Sequence, residues 1–190
     1  MSADSIRVMV VDDDRDILDL VQISLSSQYE VLALTDPAQA LEIFEVFDPD
    51  LAILDIMMPK ITGYQILETI RKNPKYSHLP IVFLSAKEST LDIKYGYKLG
   101  ANLYVPKPFQ PDRLLKNVSS LLVNVHPRHR EYSMRDVQLR MQLKASGVAT
   151  GPAEPPSDVE GAPPKPSSSA RLRRPLAQEK AENEKKKWVG

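Results

Sequence analysis

The chain contains no cysteine, which removes disulfides and thiolate metal sites from consideration and fits a reducing compartment such as the cytoplasm. No apolar run is long enough to cross a bilayer, and the opening residues MSADSIR lack the hydrophobic stretch of a signal peptide. A soluble, cytoplasmic chain without a membrane span is the expectation. Histidine is scarce: His78, His126 and His129 have no metal-ligand spacing. Glycine is also sparse, and no glycine-rich fingerprint follows the first β-rich run, which argues against a nucleotide-binding fold. Net charge is zero only as a sum. Residues 1–123 hold 17 Asp+Glu against 12 Lys+Arg, whereas residues 124–190 hold 8 against 13.

Five short β-rich runs are present: Ile6–Val11, Tyr29–Leu34, Leu51–Asp55, Pro80–Ala86 and Leu103–Val105. Each is followed by a segment with helical apolar spacing, such as Ile17, Leu18, Val21 and Leu25 after the first run. Asp14 and Asp36 stand where helix caps belong, and Asn73-Pro74 and Gly100 stand where helices stop. Runs of this length, apolar throughout, belong to strands buried on both faces. Five strand–helix pairs in alternation predict an α/β domain, a doubly wound five-stranded parallel sheet covered by helices on both sides.

In a parallel sheet all strands end on one edge, where open α/β folds place their ligand crevice. Asp12 and Asp13 end the first run, Asp55 the third and Ser85 the fourth, and Lys107 follows the fifth. Each alone has an ordinary explanation as a cap or a surface turn. Together they deliver carboxylates, a hydroxyl and an ammonium to one place. Carboxylates packed side by side repel and need a shared cation. Hard oxygen ligands without His or Cys favour Mg²⁺, while Lys107 and Ser85 suit the non-bridging oxygens of a phosphoryl group. This is a site for phosphoryl transfer with a carboxylate as nucleophile.

These residues carry a resemblance. Asp12-Asp13 after VMVV, Asp55-Ile-Met-Met-Pro59 with Gly63, Ser85-Ala86, and Gly96, Gly100-Ala101, Tyr104 and Lys107-Pro108-Phe109 resemble the receiver domain of two-component response regulators over residues 6–123. The resemblance implies strand order 2-1-3-4-5 and phosphorylation of Asp55 by a sensor histidine kinase or a histidine phosphotransfer protein. It implies Mg²⁺ held by Asp13, Asp55 and the Met57 carbonyl, with Asp12 acting through water. Ser85 and Tyr104 would be the switch residues, Lys107 would pair with the phosphate, and the Lys107–Pro108 bond would be cis. Where many relatives carry acidic residues after Gly-Ala this chain has Asn102-Leu103, read as a surface change. Met57 and Lys87 would flank the path of an attacking water.

The receiver is expected over residues 1–123. Residues 124–144 form an extension with a short helix, although Val137, Leu139, Met141 and Leu143 alternate like a strand. Residues 145–190 read as a disordered Pro/Ser-rich and basic tail. No helix-turn-helix pattern or second catalytic signature follows the receiver, so a DNA-binding output is not expected. The reading is a stand-alone receiver that switches a surface for an unidentified effector protein and is no enzyme beyond its own phosphoryl transfer and autodephosphorylation. The alternative is a phosphorelay intermediate that passes the group to a histidine phosphotransfer protein. An aspartyl hydrolase would need a second acid at Met57, and a phosphate-independent receiver would lack one of the site groups.

Overall fold

The computed structural model describes residues 5–86, 89–126 and 132–146, all within one compact unit. Strands β1 (Arg7–Val11), β2 (Glu30–Leu34), β3 (Leu51–Asp55), β4 (Ile81–Ser85) and β5 (Leu103–Pro106) form one sheet. The order is β2-β1-β3-β4-β5, and every pairing is parallel. Between them run α1 (Arg15–Leu25), α2 (Pro37–Phe47), α3 (Gly63–Arg71), α4 (Thr90–Lys98) and α5 (Pro111–Leu122). This is the sheet and order that the sequence implied.

Strand side chains alternate between faces, so each central strand feeds two cores. Met9, Val11, Ala52, Leu54, Ile81 and Phe83 pack on one side with Ile43, Phe44 and Phe47 of α2 and Ile66, Leu67 and Ile70 of α3. Val8, Val10, Leu51, Ile53, Val82 and Leu84 pack on the other with α1 and α5. Fully burying such a side chain contributes roughly 1.5–3 kcal/mol, so the two layers fix the strand register firmly.

Local signals set the ends. The Asp14 carboxylate accepts from Asp16 N at 2.9 Å to start α1, and Asp36 accepts from Ala38 N at 2.9 Å to start α2. Thr62 and Gln65 form a reciprocal capping box on α3. Gly100 takes φ +96° after α4, a conformation that side chains rarely adopt. β4 begins at Ile81 because Pro80 has no N–H for the ladder; its carbonyl still accepts from Ala52 N at 3.0 Å. Asn102 is exposed, in line with its reading as a surface change, and it also ties β5 to the start of β4. Its side-chain oxygen accepts from Ile81 N at 2.9 Å and its backbone N donates to Ile81 O at 2.8 Å.

A further helix, α6 (Met134–Ala145), packs against α2. The alternation of its apolar residues is resolved by burying only half of them. Val137 lies in the α2-side core with Met134 and Met141 packed against it, whereas Leu139 is 53% exposed. At the base of β1, Arg7 is buried, although an arginine opening a strand reads as solvent-facing. Its guanidinium pairs with Glu30 at 2.9 Å and donates to Phe47 O at 2.9 Å and to Tyr132 O at 2.8 Å.

Candidate functional site

The three central strands bring the site together. β1 ends just before Asp12, β3 ends on Asp55 and β4 on Ser85, and the Lys107 backbone N donates to Ser85 O at 2.9 Å. That bond closes β5 onto β4 and aims the following side chain back across the sheet edge. Lys107 Nζ lies 2.6 Å from Asp12 Oδ2 and 2.7 Å from Asp55 Oδ1. Asp55 is only 3% exposed, and a carboxylate there needs such a partner. The Lys107–Pro108 bond is cis.

The β3–α3 turn completes the nucleophile's setting. Met57 N donates to the other Asp55 oxygen, Oδ2. Gly63 packs so tightly beneath it that an added Cβ would sit 2.2 Å from Asp55 O. A glycine eight residues after the aspartate is thus a requirement of space.

Charge follows from this geometry. Burial pushes the Asp12 carboxyl up, partly offset by its bond to Lys107 and by the Asp14 N–H. Burial also pulls the Lys107 ammonium down, but its hydrogen bonds to Asp12 and Asp55, with their charges, outweigh this and leave it raised. Lys107 is therefore a cation held over the two acids.

The acids are less gathered than the sequence implied. Asp12 and Asp55 meet at Lys107, while Asp13 faces solvent at the end of β1. Among the described residues no three acidic or histidine side chains are grouped as metal ligands. An ion that takes one or two carboxylates and completes its shell with carbonyl and water oxygens still suits this all-oxygen set, and Mg²⁺ is such an ion. The Met57 side chain is exposed, Ser85 is fully buried, and Lys87 lies outside the described residues.

Tyr104 on β5 is half-buried and packs against the α2-side core. Sequence reasoning missed its neighbours. Tyr64 of α3 meets the Phe83 ring at 5.2 Å and the Tyr95 ring at 5.0 Å, both edge-on, and donates to Asp92 O at 3.2 Å. Burial first, then nearby Tyr104, Asp92 and Tyr95, push the Tyr64 hydroxyl up to about 12. Gly96 of α4 leaves room for this cluster, since a Cβ there would lie 3.2 Å from the Phe83 ring.

The family model of the response regulator receiver domain matches residues 8–119. The chain belongs to the response regulator receiver family. Its receiver is similar to the probable transcriptional regulator ycf27 of Cyanophora paradoxa, 40% identical over 117 residues, which is 61% of this chain and 48% of that protein. A probable cyclic di-GMP phosphodiesterase of Vibrio cholerae is 32% identical over 140 residues, 74% of this chain and 32% of that protein. Among solved structures, the chemotaxis protein CheY4 of Vibrio cholerae is similar at TM-score 0.59 and 31% identity, covering 62% of this chain and 99% of that one. The chain thus spans half or less of the length of these longer relatives, and the shared part includes the receiver.

Proposed function

We propose that this receiver is a phosphorylation-switched binding module in which Asp55 accepts a phosphoryl group from the phosphohistidine of a sensor kinase or histidine phosphotransfer protein. The observation that carries this reading is the buried Asp55 carboxylate held by Lys107 at 2.7 Å. One Asp55 oxygen attacks phosphorus, the P–N bond to histidine breaks, and its electron pair stays on the imidazole, which takes a proton. Mg²⁺, held by Asp13, Asp55 and the Met57 carbonyl with Asp12 behind them, would supply charge neutralisation for the transferring oxygens. Lys107 stabilises the charge that develops on a non-bridging oxygen, and Met57 N orients the nucleophile.

The phosphorylated side chain carries roughly two negative charges and three acceptor oxygens where one carboxylate stood. Ser85 and Lys107 meet that charge. Because Ser85 ends β4 directly before the α4 segment, and Tyr104 packs by Gly96 and Tyr64, the change reaches the surface of α4, β5 and α5. Leu91, Tyr95 and Tyr97 stand exposed there, as an apolar-aromatic face for an effector protein. The receiver acts through protein contacts made by this face. Incubation with acetyl phosphate and Mg²⁺ should label wild type and leave Asp55→Ala unlabelled; equal labelling of both contradicts the reading.

A further inference from the structure

α6 changes where the chain goes after the receiver. α5 runs from the edge bearing Lys107 down to the base of the sheet, and Tyr132 is fastened there by Arg7. From that point α6 climbs back along α2. Val137 is buried near the base, Lys144 pairs with Glu42, and Met141 lines a groove of about 340 Å³ with Leu34, Thr35, Gln39, Arg15 and Asp19. Leu34 ends β2, and Arg15 directly follows the acidic run Asp12–Asp14, so the groove that Met141 lines opens at the phospho-accepting edge of the sheet.

Two further observations support a built contact. The helix is started by a Ser133–Asp136 capping box and latched by a buried arginine that also holds Glu30 and the last carbonyl of α2. The similarity to the Vibrio phosphodiesterase takes in 140 of the 190 residues. A stretch that long cannot avoid residues 51–140, so the likeness runs past the receiver and into α6.

We propose that residues 132–146 are an intramolecular strap that closes the α1–β2–α2 flank of the acceptor edge and narrows the approach of protein phosphodonors. A protein that presents a phosphohistidine to Asp55 must rest on the rim around this buried carboxylate. The start of α1 is part of that rim, and Met141 faces it across the groove that both line. A small donor needs no rim contact and is indifferent to the strap. This inference rests on Asp55 being the acceptor.

The test uses the full-length chain. Val137→Asp undocks the strap, and Lys144→Glu weakens it at an exposed pair without entering the core. Gln39→Cys with Met141→Cys locks it, the chain having no other cysteine. Hydrogen exchange should show residues 134–145 protected in wild type and unprotected in Val137→Asp. Labelling by acetyl phosphate with Mg²⁺ should be the same in all forms. Labelling by a phosphorylated histidine phosphotransfer domain should be several-fold faster in the released variants and slowest in the locked one. Free exchange of α6 in wild type, failure of the Cys pair to close, or equal protein-donor rates in locked and released forms would overturn the strap. Failure of acetyl phosphate to label wild type while α6 stays protected would overturn the acceptor assignment and leave the docked helix standing.

Discussion

Lys107 follows β5 and Asp55 ends β3, strands that do not pair, yet their side chains meet at 2.7 Å across the end of β4. The same ammonium holds Asp12 at 2.6 Å. Lys107→Met should therefore leave two carboxylates near the edge without a counter-charge. Breaking a buried pair from one side costs about 3–5 kcal/mol; with Lys107 17% exposed, a loss nearer 1–3 kcal/mol is expected at neutral pH. Urea denaturation checks this, and the deficit should shrink as the pH falls and Asp12, already pushed up by burial, takes a proton.

Gly63→Ala should act on the same site through the backbone. Its Cβ would meet Asp55 O at 2.2 Å, so the β3–α3 turn must move. Overpacking of this kind costs about 1–3 kcal/mol. Thermal unfolding and the rate of acetyl phosphate labelling should both fall. Gly96→Ala, with only the Phe83 ring at 3.2 Å, should be milder in both.

Tyr64 gives an alkaline signature. Its hydroxyl is raised from the ordinary 10.0 to about 12, so the unfolded chain ionises first as the pH climbs. The stability it contributes is complete below pH 10 and is lost as the pH rises toward 12. Denaturation midpoints on either side of that window should drop more for wild type than for Tyr64→Phe, which keeps the ring contacts and cannot ionise.

Acid should loosen α6 in the opposite sense. The Asp136 carboxyl is held below its ordinary 3.8 by hydrogen bonds from the Ser133 hydroxyl and N–H. Its contribution is present above 3.8 and lost as the pH falls through the lowered value. Protection of the α6 amides, corrected for the intrinsic exchange rate at each pH, should fall at acid pH in wild type, and Asp136→Asn should show much less of this change.

Much of this fold was legible because the sheet is parallel. Strands buried on both faces appear as unbroken apolar runs, and their shared edge turns the residues that close each run into site candidates: Asp12, Asp13, Asp55, Ser85 and Lys107. Features set by distant partners were less legible. Nothing around Arg7 announces that Tyr132, 125 positions on, covers it. The alternation of Val137–Leu143 hides a helix because only Val137 and Met141 face α2, and Leu139 is left in water. Asp12 and Asp13 look equivalent in sequence; one is sealed under Lys107 and the other faces solvent, a difference that only the turn into α1 decides. The Tyr64–Phe83–Tyr95 cluster beside Tyr104 joins three elements, and no single stretch reveals it.

The most direct test is intact-mass measurement of the full-length protein after exposure to acetyl phosphate, with and without Mg²⁺, for wild type, Asp55→Ala and Lys107→Met. One phosphoryl group on wild type, dependent on Mg²⁺, absent from Asp55→Ala and slowed by about 10²-fold or more in Lys107→Met is the predicted result. A label that persists in Asp55→Ala, or a wild type that takes up none, would contradict it.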